Sequence, residues 1–426
     1  MSTIIEHARC GKITRDIEEV AKNEGKPVDF IMQKVASGEI VILKRHSRKN
    51  NSEIFLGTGA GLKTKINVNL GTSSEGGLKE EIEKARISQQ IGADTICEMS
   101  MSGDIDTIRS ACFDATTMPI TTVPIYQAVA EKVQKGKGFL EIGSDDIVGM
   151  IEKHVKSGVS GVVLHAAITR GMLEDLKRSK RIMGMVSKGG ALTSAYMLEN
   201  NIKNPFAENL TEILEILHEH DAVLILGNAM RSGSVCDKMD NLHIMEMELN
   251  REYANTANRY GVQVIVEGLG GHIAAGDIEK SVKLYKESIR YPLFVAGPLP
   301  TDIAAGYDHI AGCAGASTAS AAGADYLCYI TPSEHISLPG ADDVREGIIA
   351  FKIAAVIGDS VKYGLSESEK RMAFARRSHN WSEQFDLAAD HGARAREKGK
   401  KLVDGAGCTM CGRYCAIDIM KKFMGG

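Results

Sequence analysis

Three cysteines near the end of the chain have a spacing that could support chemistry. Cys408, Cys411 and Cys415 fall within eight residues of a chain that has nine cysteines in all. Three thiolates this close can hold three irons of a 4Fe-4S cluster and leave the fourth iron open as a reaction site. A zinc knuckle is the alternative, but it needs four ligands, no Cys or His follows Cys415, and the nearest upstream candidate is the distant His391. Disulfides fit poorly, because three is an odd number and nothing suggests secretion.

The substrate of such an iron must be positioned by the rest of the chain, in which predicted strands alternate regularly with predicted helices. From Lys65 onward, short apolar runs alternate with amphipathic helical patterns, which is typical of parallel βαβ units. The nine runs are 66–69, 95–99, 120–123, 161–165, 182–186, 222–226, 262–267, 292–296 and 326–330. Eight units make a barrel, so we predict an α/β fold, a (β/α)8 TIM-type barrel in which 182–186 is not a strand. A doubly wound open sheet is the alternative, but no G-x-G-x-x-G follows the first strand.

We predict four parts along the chain. Residues 1–61 form a small N-terminal region, and residues 62–362 form the catalytic barrel. Residues 363–407 form a C-terminal helical segment, and residues 408–426 form a flexible iron–sulfur tail. The glycines of Gly405-Ala-Gly407 provide a hinge immediately before the first of the three cysteines.

The composition is that of an ordinary globular enzyme. Of the 426 residues, 43% are hydrophobic and 25% are charged, and 51 basic against 55 acidic residues give a net charge of −4. This balance gives no reason to expect nucleic acid or an anionic membrane as a partner. The N-terminus shows no basic stretch followed by an apolar one, and no apolar run is long enough to span a bilayer, so we expect a cytoplasmic protein.

Polar groups follow nearly every predicted strand, and in a barrel these strand ends gather at one face. Ser187-Lys-Gly-Gly190 precedes a helical pattern, so its free N–H groups suit a phosphate, although an ordinary N-cap explains the same residues. Arg231 and Glu267 could grip a polar heterocycle or a sugar, or could pair with each other. His272 and His335 each follow a late strand and could hold a divalent metal, but two separated histidines alone are a weak signal.

Longer motifs show a family resemblance that runs from about residue 67 to residue 415. They are Gly92-Ala-Asp-Thr, Thr122-Val-Pro-Ile-Tyr-Gln, Gly297-Pro-Leu-Pro-Thr-Asp-Ile-Ala-Ala-Gly-Tyr-Asp-His-Ile310, Leu327-Cys-Tyr-Ile-Thr-Pro-Ser-Glu-His335 and Trp381-Ser-Glu-Gln-Phe. With these motifs the chain resembles phosphomethylpyrimidine synthase, the radical S-adenosylmethionine (SAM) family of thiamin biosynthesis. The resemblance implies a (β/α)8 barrel and a homodimer in which each C-terminal 4Fe-4S tail covers the partner's active site.

The resemblance also implies the ligands. Aminoimidazole ribotide is the expected substrate, and the expected cofactors are SAM, the 4Fe-4S cluster and one divalent metal, zinc or iron, with an electron donor as a further partner. The metal ligands fall on His272 and His335, and the cluster ligands on Cys408, Cys411 and Cys415. Substrate contacts fall on Asn69, Tyr126, His165, Ser187, Lys188, Gly189, Asn228, Arg231, Glu267 and Phe294, and we assign catalytic roles to Glu267, Asn228 and Cys97.

The chain departs from the family pattern around the substrate. Cys97 stands in place of Met, Lys188 of Arg, Asn228 of Asp and Phe294 of Tyr, and the Glu-Gly-Pro-Gly-His motif is one residue longer here, at 267–272. These changes resemble the sister enzyme, so we predict a synthase that converts the ribotide to 5-hydroxybenzimidazole, the lower-ligand precursor of anaerobic cobalamin biosynthesis. The alternatives are the thiamin pyrimidine synthase itself and, more remotely, a zinc-stapled barrel that binds a sugar phosphate.

Overall fold

The computed structural model describes residues 2–46, 53–136, 138 and 142–424. The chain divides into two compact units, Met1–Gly358 and Asp359–Gly426. The first unit contains the barrel and its N-terminal region, and the second contains the three cysteines. None of the helices in the described ranges is both long enough and apolar enough to cross a membrane.

The first unit begins with three helices and a hairpin. The helices are α1 (Ile4–Arg9), α2 (Arg15–Glu24) and α3 (Val28–Ser37), and the antiparallel hairpin strands are β1 (Ile40–His46) and β2 (Glu53–Gly59). Apolar side chains at helical spacing in the helices and at alternate positions in β1 bury a separate small core, which includes Ile5, Ile17, Ile31, Ile40 and Ile42.

Eight parallel strands close into a barrel, as predicted. They are β3 (Lys65–Leu70), β4 (Thr95–Glu98), β5 (Ile120–Thr122), β6 (Gly161–Leu164), β7 (Val223–Leu226), β8 (Val264–Glu267), β9 (Leu293–Ala296) and β10 (Tyr326–Cys328). Their order is β10-β3-β4-β5-β6-β7-β8-β9, with β10 and β9 paired to complete the ring. The central strands read as continuous apolar runs because one face lies inside the barrel and the other lies under helices. Residues 182–186 form a loop, which confirms the prediction for the ninth run.

Helices surround the strands. They are α4 (Leu78–Ile91), α5 (Ile105–Ala115), α6 (Pro124–Gln134), α7 (Ser144–Lys156), α8 (Arg170–Arg178), α9 (Lys188–Glu199), α10 (Pro205–Glu208), α11 (Leu210–Glu219), α12 (Asn241–Arg259), α13 (Ala275–Ser288), α14 (Asp308–Ala322) and α15 (Ala341–Tyr363). Because each strand feeds its following loop at the same end, the carboxyl ends of all eight strands meet at one face of the barrel.

The second unit is a chain of short helices. These are α16 (Glu367–Ser378), α17 (Trp381–Asp386), α18 (Ala393–Lys398), a 3₁₀ turn (Gly412–Tyr414) and α19 (Ala416–Met424). The start of α17 holds the segment before the cysteines. Trp381 Nε1 donates to the carbonyl of Ala406 at 2.8 Å, and the Ser382 hydroxyl donates to Asp404 at 2.8 Å. The first of these bonds ends within the predicted hinge and the second just before it.

Candidate active site

A cavity of about 800 Å³ opens at the carboxyl ends of the barrel strands. This is the face at which barrel enzymes carry out their chemistry. The structure brings most of the predicted site residues to its wall: Asn69, Cys97, Tyr126, His165, Ser187, Lys188, Arg231, Glu267, His272, Phe294 and His335. Gly189 and Asn228 are not part of that lining, and each has a different role, described below.

The N-terminus of α9 forms the best anion-binding element of the cavity. Ser187 is the N-cap residue, and its hydroxyl accepts a hydrogen bond from the Gly190 N–H at 3.1 Å. The positive end of a helix suits a negatively charged ligand. Lys188 lies at the same end, with its Nζ 5.2 Å from the centroid of the Tyr126 ring. The N-cap interpretation and the phosphate interpretation are therefore compatible.

His165 is fixed behind this loop. Its Nε2 lies 3.0 Å from the Ser187 hydroxyl, and a Cβ added to Gly189 would lie only 2.2 Å from the imidazole. Gly189 is thus required by packing against His165. Burial, together with the Arg231 guanidinium, lowers the pKa of His165 to about 3, so the ring is neutral. If Ser187 donates to Nε2, then Nδ1 carries the proton, and within the described residues Nδ1 has no partner.

Arg231 and Glu267 pair with each other and also line the cavity. Their closest approach, Arg231 Nη1 to Glu267 Oε1, is 3.3 Å. Glu267 also accepts from the backbone N–H of Asn228 at 3.1 Å. Burial raises the pKa of Glu267 in spite of the nearby Arg231, which makes this carboxyl group a candidate for proton transfer.

Asn228 faces away from the cavity. Its amide nitrogen donates to Glu246 Oε2 at 2.6 Å, and its amide oxygen accepts from the Gly270 N–H at 3.3 Å. Glu246, in the middle of α12, also accepts from the N–H groups of Ala229 and Met230. The structure therefore gives Asn228 a bracing position behind Glu267, and it does not support direct contact with a substrate. Sequence reasoning missed Glu246, because a single acidic residue inside a long amphipathic helix carries no signal.

Two thiols lie on the floor of the cavity. Cys328 accepts from the Asn69 amide at 3.0 Å, and Cys97 lies one strand beyond Asn69 in the same sheet. Burial raises the pKa of both thiols, so each is protonated at neutral pH. Phe294 stacks on Tyr326 with ring centroids 4.2 Å apart. Sequence reasoning missed Cys328 as a lining residue, although its place at the end of β10 was a sufficient signal.

His272 and His335 meet at the rim of the cavity. Their Nε2 atoms are 3.2 Å apart, and behind them His272 Nδ1 lies 2.7 Å from Asp302 and His335 Nδ1 lies 3.3 Å from Asp308. Asp302 accepts from the His272 Nδ1–H, and Asp308 lies beside His335 Nδ1. These carboxylates favour the tautomers in which the two Nε2 lone pairs face each other, an arrangement that suits a cation between them. With metal–nitrogen bonds of about 2.0–2.1 Å, this separation gives an angle of about 100° at the metal, near the tetrahedral value. The residues fit one divalent ion.

The longer loop before His272 does not displace the ring. Leu269 takes up a left-handed conformation with φ of 56°. Backbone hydrogen bonds then fix the end of the loop: the His272 N–H donates to Ser232 and the Leu299 N–H donates to Gly271. Asp302 and Asp308 were missed from the sequence, although both lie in the quoted motif at 297–310.

In the second unit the three cysteines lie on a tight turn. The Gly412 N–H donates to the Cys408 carbonyl at 3.1 Å, and the Tyr414 N–H donates to the Cys411 carbonyl at 3.1 Å. All three thiols are free of disulfides. Cys411 is exposed and Cys415 is buried, with its Sγ 3.9 Å from His379 Nε2. Three free thiols on one turn fit the donor set of a 4Fe-4S cluster with an open iron. The nearby histidine is His379, and not the His391 suggested by the sequence.

The polar cavity at the strand ends defines a (β/α)8 barrel enzyme, and the three-cysteine turn adds an iron–sulfur donor set. The sequence profile described as "Radical SAM ThiC family" matches residues 3–422. "Phosphomethylpyrimidine synthase 1" of Methanothermobacter thermautotrophicus is 42% identical over 427 residues, covering 99% of this chain and 98% of that protein. "Phosphomethylpyrimidine synthase" of Dehalococcoides mccartyi strain BAV1 is 40% identical over 429 residues, with the same coverage of 99% and 98%. The chain belongs to the Radical SAM ThiC family, whose members use SAM and an iron–sulfur cluster.

A solved structure with a similar barrel is dihydropteroate synthase from Thermus thermophilus in complex with 6HMPPP. It covers 76% of this chain and 100% of its own, with a TM-score of 0.42 and 11% sequence identity. That level of similarity carries no argument about function.

The prediction of 5-hydroxybenzimidazole as the product is wrong. Relatives about 40% identical over nearly the whole chain are named phosphomethylpyrimidine synthase, which was the stated alternative. The geometry bears on why the departures from the family pattern at Asn228 and Phe294 led to a wrong product prediction. Asn228 is turned toward Glu246, so exchanging Asp for Asn there removes no carboxylate from the cavity wall. Phe294 stacks on Tyr326, which accounts for an aromatic ring at this position; the structure gives no reason for the missing hydroxyl.

Proposed function

We propose that this chain is a phosphomethylpyrimidine synthase that converts aminoimidazole ribotide to hydroxymethylpyrimidine phosphate by radical SAM chemistry. One observation carries the proposal: a chain about 40% identical to proteins of that name joins, in one cavity, an anion-binding helix terminus and a histidine pair suited to a metal. A ribotide needs the first feature for its phosphate. The second suits a divalent ion that holds amino and carboxylate groups, such as those of SAM.

Different residues of the cavity wall bind different parts of the substrate. The N-terminus of α9 and the Lys188 ammonium bind the phosphate. Neutral His165 lies beside the Ser187 hydroxyl in the cavity wall and adds no charge there. Glu267, whose pKa is raised by burial, holds or moves a proton beside Arg231. Cys97 and Phe294 contribute apolar surface to the wall around the ring.

The cofactors are held by the remaining predicted residues. His272 and His335 hold the divalent metal, zinc or iron, with Asp302 and Asp308 orienting the rings. Cys408, Cys411 and Cys415 would ligate the 4Fe-4S cluster, and the bound cluster would supply the one-electron reduction of SAM. The electron comes from an external donor, and we expect the enzyme to act in the cytoplasm.

We also infer a homodimer with exchanged tails. The inference rests on the family resemblance and on the location of the cysteines in a unit separate from the barrel. Mixing Cys411→Ala protein with Glu267→Ala protein, under conditions in which subunits exchange, should restore part of the activity if cluster and cavity come from different chains. No recovery after verified exchange would mean that each chain acts alone.

Identification of the reaction product tests the proposed function. Anaerobically reconstituted protein is incubated with aminoimidazole ribotide, SAM and a reductant, and the products are identified by mass spectrometry. We expect hydroxymethylpyrimidine phosphate together with 5′-deoxyadenosine, and neither from the matched Cys411→Ala protein. A colourless, iron-free protein that binds the ribotide unchanged would instead indicate the zinc-stapled binding barrel, and any other main product would refute the assignment.

A further inference from the structure

A second group of metal-binding side chains lies outside the barrel. In the unit of residues 359–426, ligand atoms of His379, Cys415 and Asp418 all lie within 4.8 Å of one another. His379 Nε2 is 2.9 Å from Asp418 Oδ1 and 3.9 Å from Cys415 Sγ. The His379 side chain is 5% exposed and that of Asp418 is 42% exposed. The group is therefore sheltered on the histidine side and open to solvent on the carboxylate side.

The local fold sets these three side chains in place. His379 ends α16 in a left-handed conformation, with φ of 54° and ψ of 34°, and its carbonyl accepts from the Gly405 N–H at 3.0 Å. Its ring stacks on Trp381 with an interplanar angle of 19°. Cys415 immediately precedes α19 and Asp418 lies in the first turn of that helix, so the two donors are three residues apart and share one face. The left-handed C-cap conformation and the contacts on both sides of His379 fix the position of its ring.

The three donors match a zinc-type ion. Thiolate, imidazole and carboxylate are the usual zinc ligands, and a tetrahedral ion with ordinary bond lengths places sulfur and nitrogen roughly 3.6 Å apart and nitrogen and oxygen roughly 3.3 Å apart. The observed 3.9 Å and 2.9 Å each lie within about 0.4 Å of those separations. A hydrogen bond accounts for the His379–Asp418 contact, but it gives no reason for a buried thiol to face the same nitrogen.

We propose that His379, Cys415 and Asp418 bind one zinc-type divalent ion in the cluster-free chain, with solvent completing the coordination. Binding displaces the Cys415 proton to solvent and places the ion between the three donors. The binding itself is independent of the enzymatic assignment. Its consequence rests on the proposed function: because Cys415 is also a predicted cluster ligand, the ion and the cluster exclude one another at that sulfur.

Cobalt(II) reports on the binding step. Co²⁺ occupies zinc sites, and its thiolate charge-transfer absorption is absent from a site built only of histidines, so the barrel pair does not contribute. The protein is the full-length, cluster-free chain carrying Cys408→Ser and Cys411→Ser, which leaves Cys415 as the only thiol of the turn. We expect one thiolate–cobalt band that reaches saturation and disappears on further replacement by Cys415→Ser. Absence of the band in the double variant would overturn the proposal, since the metal would then need the other two cysteines.

Single changes at the other two donors sharpen the test. In the same background, His379→Ala and Asp418→Asn should each weaken Co²⁺ binding by roughly tenfold or more. His391→Ala is the matched control, because it removes a histidine of the same unit that is outside the donor group. Unchanged affinity in both donor variants would refute the site. Two variants guard against a folding defect in one of them, and each is checked by its metal-free unfolding curve.

Competition tests the consequence. Wild-type chain preloaded with Zn²⁺ should assemble the cluster several times more slowly than metal-free chain, as measured by iron content and visible absorption, and His379→Ala should remove the difference. Equal rates with and without zinc would refute mutual exclusion. If instead Cys415→Ser still assembles a complete cluster, the fault lies in the cluster assignment and not in the cobalt site.

Discussion

The barrel cavity and the cysteine turn arrange their chemical groups in opposite ways. In the cavity, several polar side chains are braced by a second group from the protein, as His165 is by Ser187 and His272 is by Asp302. In the second unit, the buried residues among those described are Ala375, His379, Gly392, Gly399 and Cys415, which is too little apolar surface for a core. The cavity therefore draws its order from the barrel around it, whereas we expect the second unit, with so few buried residues, to gain stability when metal binds.

The largest expected effect comes from replacing a cysteine of the turn, which should abolish the chemistry and leave the stability of the fold nearly unchanged. Cys411→Ala should abolish 5′-deoxyadenosine production after anaerobic reconstitution, because the cluster loses one of its three protein ligands. The free energy of unfolding should change by less than about 0.5 kcal/mol, since Cys411 is exposed. Cys10→Ala, at another exposed cysteine, is the control and should leave production unchanged. Full 5′-deoxyadenosine production by the Cys411→Ala protein would show that the cysteine turn has no role in the chemistry.

A change behind a metal ligand tests how strongly the cavity is braced. Asp302→Asn should weaken metal binding at the His272–His335 pair by about 10- to 100-fold, because it no longer holds the His272 Nδ1–H as a carboxylate does. His272→Ala should weaken it further. Chelator competition in a Cys415→Ser background measures the affinity without a contribution from the second unit. Glu279→Gln, at an exposed carboxylate of α13, is the control, and an equal affinity in Asp302→Asn would contradict the bracing.

A single methyl group should show how tightly the cavity is packed. Gly189→Ala should destabilise the fold by about 1–3 kcal/mol, because its Cβ would lie 2.2 Å from the His165 ring. It should also raise the KM for the ribotide, since His165 must move. Gly149→Ala in α7 is the matched control: nothing lies within 4 Å of its added Cβ, so it should stabilise by up to about 1 kcal/mol. Denaturant unfolding compares the two, and equal effects would mean that the cavity wall yields as easily as a surface helix.

The smallest expected effect is on the pH dependence of the free energy of unfolding. The folded-state pKa of His165 is lowered to about 3 by burial, whereas the unfolded value is about 6.5. Below about pH 6.5 the unfolded chain binds a proton that the folded chain does not, so stability is lost as pH falls, by up to about 1.4 kcal/mol per pH unit. His165→Gln should remove this part of the slope between about pH 6.5 and 5, above the range of ordinary carboxylates. The exposed His220→Gln is the control, and an unaltered slope in the His165 variant would show that the ring is not held neutral.

Some of these arrangements were predictable from the sequence and others were not. The barrel was, because strands buried on both faces appear as apolar runs and their polar ends must meet at one face. Partners that meet only through space were not: Asp302 lies 30 residues from His272, and His379 lies 36 residues from Cys415. The direction of Asn228 was also hidden, since its identity says nothing about whether it faces the cavity or Glu246. The assumption that Asn228 faces the cavity contributed to the wrong product prediction.

The bridged end of the loop before His272 has a consequence for reading related sequences. Ser232 and Leu299 hold the backbone on either side of the imidazole, and a Cβ at Gly271 would lie 2.2 Å from the Ser232 carbonyl, so that position tolerates only glycine. Between Glu267 and Gly271 this chain accommodates the additional residue with Leu269 in a left-handed conformation. The longer loop still leaves His272 beside His335. The spacing between the glutamate and the histidine is a poor guide to whether the metal site is intact, and the glycine that precedes the histidine is a better one.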